Sequence, residues 1–209
     1  MTQVLIVEDQ RMARENMESI VRSSARYALS GTISDAGLAL SFCARKPIDL
    51  ILMDVCTLGR KDGIAAAAEI KQAFPNIKII IVTSMPECSY LSRAREIGVE
   101  SFWYKEEQRE SLLDVMERTM AGESVYPDAT PELQLGLASS YKFTDRELEV
   151  LREMTGGDTN QEIAERLHMS VATVKTHILN MLEKTGFRNR TELAVRARES
   201  GLVILNRKN

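Results

Sequence analysis

Side chains able to take part in chemistry follow four short apolar runs in the first part of the 209-residue sequence. Glu8 and Asp9 follow QVLIV, and Asp54 follows DLILM. Thr83 follows KIIIV, and Lys105 follows SFWY. If these runs are parallel strands, their carboxyl ends meet at the edge of a sheet where such proteins bind ligands. The alternative is a set of solvated strand ends with one salt bridge.

Carboxylates gathered in one crevice repel one another, so the crevice must offset that repulsion with a cation. Oxygen ligands with open positions suit Mg²⁺. A bound Mg²⁺ and a nearby Lys105 could stabilise a phosphoryl group in transfer to a carboxylate. Asp54 is the predicted acceptor because it ends the central strand, and Thr83 could donate a hydrogen bond to a phosphoryl oxygen.

The apolar runs alternate with longer helix-like stretches, which predicts βαβ units and a parallel sheet. Each run is continuously apolar, as expected of strands that are covered on both faces. A weaker strand is predicted near Tyr27–Ile33. The predicted helices are Arg11–Ala25, Gly37–Arg45, Ile64–Phe74, Glu87–Ile97 and Arg109–Ala121.

A change in composition predicts two domains, residues 1–121 and 143–209. Residues 122–142 contain two Pro, two Gly and three Ser with little periodicity, which is typical of a linker. Four helices are predicted after it, and the first opens with a capping box of Thr144 and Glu147. The next two, Asn160–Leu167 and Val171–Lys184, flank a three-residue turn. That layout is typical of a helix-turn-helix.

The distribution of charge predicts a nucleic-acid partner for the second domain only. The whole chain has a net charge of −3, but residues 1–140 carry −5 and residues 141–209 carry +2. Within residues 167–209 the net charge reaches +5. A weakly acidic first part with a basic end fits DNA binding by that end.

Cysteine usage and the N-terminus predict a cytoplasmic protein. The three cysteines, Cys43, Cys56 and Cys88, form no C-x-x-C pair, which favours a reducing compartment. The N-terminal MTQVLIVEDQ lacks the basic region of a signal peptide. No apolar run approaches the roughly 20 residues of a membrane span, so no membrane partner is expected.

The helix predicted over Val171–Lys184 has two different sides. Val171, Val174, Ile178, Met181 and Leu182 line an inward side. Another side is expected to enter the major groove of double-stranded DNA, while basic residues reach phosphates. Solvated helix surface is the alternative for any single basic residue, above all Arg190. The predicted DNA-contacting residues are Thr173, Lys175, Thr176, Leu179, Asn180, Lys184, Arg188 and Arg190.

Both halves of the sequence resemble parts of a known family. The segments IVEDQ, LILMD, IVTS and GVESFWYK, within residues 3–121, resemble a bacterial response-regulator receiver domain. The segments FTDRELEVL and NQEIAERLHMSVATVKTHILNMLEKTG resemble a LuxR-type helix-turn-helix. Together they resemble the NarL/FixJ family of two-component regulators.

This resemblance implies a fold, a site and a function. The fold is a flavodoxin-like, doubly wound parallel sheet of five strands, followed by a small all-α domain. A sensor histidine kinase would phosphorylate Asp54, and the phosphorylated chain would dimerise and bind paired promoter half-sites. Thr83 and Phe102 are the implied switch pair, and Lys105 is the implied invariant-type lysine. The implied Mg²⁺ ligands are Asp9, Asp54, the Cys56 carbonyl and, through water, Glu8.

The segment that follows Asp54 departs from the family pattern. Thr57 and Leu58 stand where Met-Pro is usual, and Gly63 comes nine residues after Asp54, one more than usual. The altered loop, Thr57–Asp62, leaves open a regulator that does not depend on phosphorylation. A dehalogenase-type phosphatase is a weaker alternative, because it needs a second Asp where this chain has Cys56. The chain is therefore not expected to be an enzyme.

Overall fold

The computed structural model describes residues 1–59, 61–84, 89–105, 110–128, 130 and 132–203. The chain divides into two compact units, one of residues 1–84 and 90–129 and the other mainly of residues 130–209. Within the described residues, no helix is both long enough and apolar enough to cross a membrane.

The first unit is a five-stranded parallel sheet with helices on both sides. Its strands pair in the order β2-β1-β3-β4-β5, which is the flavodoxin-like order, so the predicted fold class is confirmed. The elements are β1 Thr2–Val7, α1 Arg11–Ser23, β2 Tyr27–Ile33, α2 Ala39–Cys43, β3 Leu50–Met53, α3 Gly63–Ala73, β4 Lys78–Thr83, α4 Ser89–Glu96, β5 Ser101–Tyr104 and α5 Leu112–Met120.

Continuous apolar runs form the strands because both faces of the sheet are covered. Val4 and Ile6 of β1 pack with α1 and α5 on one face of the sheet. Leu5 lies between them in the strand and is also fully buried, so it faces the opposite side. The core therefore holds the strands rigidly, and their carboxyl ends, where the polar residues follow, share one edge.

The helices of this unit differ from the predicted ones mainly at their ends. The predicted helix Gly37–Arg45 is split into a 3-10 turn at Ala36–Leu38 and the short α2. The Asp35 side chain caps the 3-10 turn by accepting a hydrogen bond from the Gly37 N–H. The first residues of the helices predicted at 87–97 and 109–121 lie outside the described residues.

The described residues of the second unit form four α-helices around their own core. They are α6 Asp145–Thr155, α7 Asn160–Arg166, α8 Val171–Thr185 and α9 Arg190–Glu199. The predicted capping box of Thr144 and Glu147 is present at α6. Ser170 caps α8, and Gly186 ends it in the left-handed conformation at φ 75°. The predicted helix-turn-helix is therefore formed by α7 and α8.

Much of the predicted linker, 122–142, is packed rather than extended. A small antiparallel hairpin joins β6, Gln134–Leu135, to β7, Ala138–Ser139. Leu135 and Ala138 belong to the core of the second unit. The sequence shows no alternation of apolar and polar residues here because each strand has only two residues. The hairpin is stabilised instead by packing against helices distant in the sequence.

Candidate functional site

The acidic residues that follow β1 and β3 lie together. One carboxylate oxygen from each of Glu8, Asp9 and Asp54 lies within 4.8 Å of the others. Glu8 and Asp54 are buried, whereas Asp9 is partly exposed. Buried carboxylates need compensating charge or hydrogen bonds, so this cluster depends on a cation.

Lys105, directly after β5, supplies one positive charge. Its Nζ lies 2.5 Å from Glu8 Oε2 and 3.4 Å from Asp54 Oδ2. The structure therefore brings together four of the five polar residues predicted to meet at this edge, Glu8, Asp9, Asp54 and Lys105. One ammonium does not fully balance two buried carboxylates. Burial raises the pKa of Asp54 to about 7, with Lys105 acting to lower it and Glu8 to raise it further.

The donor atoms of this cluster fit Mg²⁺, which prefers oxygen ligands and keeps several waters. Both Glu8 oxygens already accept hydrogen bonds, one from the Gln10 N–H and the other from Lys105. Asp9 and Asp54 are therefore the carboxylates better placed to bind a metal directly. The Cys56 backbone forms a hydrogen bond with Asp54, which places that residue beside the cluster, and the ligand role of its carbonyl stays a prediction.

The altered loop after Asp54 is tied to the end of β2. The Leu58 N–H donates to the Ser34 carbonyl at 2.9 Å, and the Thr57 hydroxyl accepts from the Ala36 N–H at 3.0 Å. Gly63 begins α3 so close to Asp54 that an added Cβ would lie 2.0 Å from the Asp54 carbonyl oxygen. Of the six loop residues, Arg60 lies outside the described residues.

The predicted switch residues lie on neighbouring strands. Thr83 is buried at the end of β4, and its carbonyl accepts a hydrogen bond from the Lys105 N–H at 2.9 Å. Phe102 of β5 is 1% exposed, so its ring already occupies an inward position. It packs 5.0 Å from the ring of Tyr104 and 6.2 Å from the ring of Tyr126.

Tyr126 belongs to a segment, Ser124–Tyr126, that the sequence did not single out. This strap runs beside β5: the Phe102 N–H donates to the Val125 carbonyl, and the Val125 N–H donates to the Ser101 hydroxyl. The Tyr126 hydroxyl donates to the Val99 carbonyl, and the Arg95 guanidinium lies 4.7 Å from its ring centre. The predicted switch residue Phe102 therefore touches the segment that leaves the first unit.

The helix α8 buries one side and exposes another. Val174, Ile178 and Met181 are buried in the second core, as predicted. The exposed surface carries five of the predicted DNA-contacting residues. They are Thr173, Lys175, Thr176, Leu179 and Asn180.

Three basic residues predicted to reach phosphates differ in their surroundings. Lys184 Nζ lies 2.6 and 2.8 Å from the two oxygens of buried Glu147. Arg190 donates to the Asn160 side chain and to the Asp158 carbonyl, so it fastens α9 to the start of α7. Arg188 is exposed. Lys184 and Arg190 thus make internal contacts that sequence spacing could not reveal, because their partners are distant in the chain.

Two family models match the chain and divide it in the same way. Residues 4–117 match the response regulator receiver domain. Residues 141–197 match the bacterial regulatory proteins of the luxR family. Among curated relatives, the response regulator protein VraR of Staphylococcus aureus is 31% identical over 208 residues, with 96% of this chain and 98% of VraR covered. The transcriptional regulatory protein YxjL of Bacillus subtilis is also 31% identical, over 96% of each chain.

Solved response regulators share the fold at lower identity. RcsB of Salmonella enterica serovar Typhimurium, solved bound to a promoter with a phosphomimetic, aligns with a TM-score of 0.62 at 20% identity, covering 96% of this chain and 98% of RcsB. ChrA, from a heme-sensing two-component system, aligns with a TM-score of 0.52 at 24% identity, covering 96% and 98%. By the two family models and the curated relatives, the chain belongs to the NarL/FixJ-type response regulators, which join a receiver domain to a LuxR-family DNA-binding domain.

Proposed function

We propose that this chain is a transcription factor whose affinity for promoter DNA is controlled by phosphorylation of Asp54. A sensor histidine kinase supplies the phosphoryl group, and the phosphorylated receiver dimerises. The dimer places two helix-turn-helix units on half-sites about one helical turn, roughly 10 bp, apart. The chain works in the cytoplasm and accepts a phosphoryl group without acting as an enzyme in the usual sense.

The observation that carries this proposal is the position of Asp54, buried beside Glu8, Asp9 and Lys105. An Asp54 oxygen forms a bond to phosphorus while the bond between phosphorus and the kinase histidine nitrogen breaks. Lys105 balances part of the added negative charge. Asp9, Asp54, the Cys56 carbonyl and, through water, Glu8 would hold Mg²⁺, which neutralises charge on the phosphoryl oxygens when bound.

The contacts of Thr83 and Phe102 support a route from the acceptor to the surface. The Thr83 hydroxyl donates to a phosphoryl oxygen, which draws the end of β4 towards Asp54. Lys105, bonded through its N–H to the Thr83 carbonyl, links that movement to β5. Phe102 on the same strand touches Tyr126, so the change reaches the strap and the α4–β5–α5 surface.

Phosphate incorporation with Mg²⁺ and a small acyl phosphate tests the acceptor. We expect the wild type and Asp49→Asn to incorporate acid-stable, base-labile phosphate, and Asp54→Asn to incorporate none. Asp49 is a matched control because it adjoins the other end of β3 and accepts a hydrogen bond from the Gln3 N–H. Equal incorporation by Asp54→Asn would refute the role of Asp54, and incorporation without a divalent metal would refute the role of Mg²⁺.

A second candidate is a regulator that binds DNA without phosphorylation. The departure of Thr57–Asp62 from the family pattern favours it, and in the structure Leu58 and Thr57 hold that loop to the end of β2. DNA affinity measured with and without the acyl phosphate separates the two functions. A rise in affinity that Asp54→Asn abolishes supports phosphorylation control, whereas equal affinities support the second candidate.

A further inference from the structure

The recognition helix α8 exposes one large apolar side chain, that of Leu179. Leu179 is 57% exposed, whereas Ile178 is 7% exposed and Met181 is fully buried. Leu179 is therefore not an extension of the core. A single exposed leucine needs no partner by itself, but this one lies on the helix expected to enter the major groove, where its side chain can meet the edge of a base.

The neighbours of Leu179 on the helix surface are polar. Thr176 and Lys175 precede it by three and four residues, so they lie beside it on the same face. The Thr176 hydroxyl donates its hydrogen to the Ala172 carbonyl at 3.0 Å, so this exposed hydroxyl can still accept a hydrogen bond. Lys175 is exposed, so a cation lies next to the leucine. This surface combines one apolar contact with one positive charge.

The major groove offers one matching apolar feature, the 5-methyl group of thymine. Leucine has no hydrogen-bond donor or acceptor, so it cannot select guanine or cytosine through their polar edges. We propose that Leu179 is a specificity-determining residue that selects a thymine in each half-site by contacting its methyl group. This inference rests on the proposed DNA-binding function of α8.

Replacing thymine by deoxyuridine tests the contact because it removes only the methyl group. Binding sites are first selected from random duplexes with the full-length wild type, with and without acyl phosphate and Mg²⁺. Each thymine of the selected site is then replaced singly by deoxyuridine. We expect the wild type to lose about fourfold in affinity at one position of each half-site, the ratio that corresponds to about 0.8 kcal/mol for one buried carbon. We expect Leu179→Ala to lose nothing there.

Two further variants make the comparison specific. Leu38→Ala removes an exposed leucine of the first unit, 55% exposed, and should keep the wild-type response to deoxyuridine. Leu179→Gln keeps a side chain of similar length without its apolar end, and should lose that response. Because Leu179 is exposed and alanine favours helices, these variants should keep the wild-type circular dichroism spectrum.

The possible outcomes distinguish a failure of the Leu179 proposal from a failure of the proposed DNA-binding function. If the wild type enriches no sequence, DNA recognition by this chain is refuted. If it enriches a sequence but wild type and Leu179→Ala respond equally to deoxyuridine at every position, only the role of Leu179 is overturned. A fourfold loss that is confined to wild type and Leu38→Ala establishes the methyl contact.

Discussion

Asp54 makes the folded protein sensitive to pH, because a buried carboxylate binds its proton more tightly than an exposed one. The pKa of Asp54 is raised from 3.8 to about 7, first by burial and further by Glu8, although Lys105 opposes the rise. Since the folded-state pKa lies above the unfolded one, protonation stabilises the fold. That contribution is present below about pH 4 and is lost as the pH rises towards 7.

We therefore predict that metal-free wild type loses stability relative to Asp54→Asn between pH 5 and pH 8, by about 1–3 kcal/mol. Urea unfolding in the presence of a chelator measures the difference. Mg²⁺ should reduce the loss at pH 8, because a cation favours the ionised carboxylate. Parallel pH dependences for the two proteins would show that Asp54 titrates normally.

Because Lys184 forms an ion pair with Glu147, we expect replacement of Lys184 to change the stability of the second unit and not only its DNA binding. Burial of Glu147 acts to raise its pKa, but hydrogen bonds from Lys184 and Thr144 outweigh burial and lower it. Removing the ammonium leaves a buried carboxylate without its partner. We predict that Lys184→Met lowers the free energy of unfolding of the second unit by about 2–3 kcal/mol. This is less than the roughly 3–5 kcal/mol lost when a fully buried pair is broken, because Lys184 is partly exposed.

Lys175→Met is the matched control for that change. Lys175 is exposed on the same helix, so its removal should weaken DNA binding and leave the unfolding curve nearly unchanged. Denaturant unfolding followed by circular dichroism gives the comparison. If Lys184→Met unfolds like the wild type but binds DNA less tightly, the Lys184 side chain contacts DNA phosphates, as its sequence position predicts, and contributes little to stability.

At the scale of elements, the strap Ser124–Tyr126 extends the edge of β5. Tyr126 contributes a ring contact with Phe102, a cation–π contact with Arg95 and a hydrogen bond to Val99. Burial raises the pKa of the Tyr126 hydroxyl to about 12, while Arg95 lowers it and Glu100 raises it by smaller amounts. This hydroxyl therefore remains a donor at physiological pH. The strap is therefore held to the first unit by side chains as well as by the backbone.

We predict that Tyr126→Ala lowers the stability of the first unit by about 1–2 kcal/mol, less than the 3–5 kcal/mol of a fully buried aromatic, because Tyr126 is half-buried. Tyr126→Phe removes only the hydrogen bond and should cost about 1 kcal/mol or less. Thermal unfolding of the receiver compares the two. Equal stability of Tyr126→Ala and wild type would mean that the strap is held by its backbone alone.

The sequence predicts the sheet well because strands such as β1 and β3 are buried on both faces and must be continuously apolar. The acidic cluster is also predictable, since parallel strands bring their carboxyl ends to one edge. The hairpin at Gln134–Ser139 and the strap at Ser124–Tyr126 could not be predicted from the sequence, because contacts with residues distant in the chain stabilise them and leave no local periodic pattern. The same holds for Lys184 and Arg190, whose partners lie 37 and 30 or more residues away.

At the scale of the whole molecule, the two units have separate hydrophobic cores. One cluster lies between one face of the first unit's sheet and helices α1 and α5, and α6–α9 pack with the β6–β7 hairpin around a separate one. The charge difference follows the same division, since the acidic part and the basic end lie in different units. Separate cores are expected of domains that fold independently.

The boundary between the units predicts how fragments behave. Leu135 and Ala138 are buried in the second core, and the Leu137 N–H donates to the Thr185 carbonyl at the end of α8. A fragment of residues 130–209 keeps these contacts, whereas a fragment of residues 141–209 exposes the core that the hairpin covers.

We predict that both fragments are helical by circular dichroism, and that the longer one is more stable by about 2–4 kcal/mol. Burial of one leucine side chain contributes about 1.5–3 kcal/mol. The hydrogen bond to the end of α8 adds about 0.5–1 kcal/mol, and the two together give this range. Leu135→Ala in the longer fragment should remove most of the difference, while Leu137→Ala, 78% exposed, should remove little. Equal urea unfolding midpoints for the two fragments would show that the hairpin lies on the surface without stabilising the core. If the longer fragment is unfolded, the second core needs the receiver in order to form.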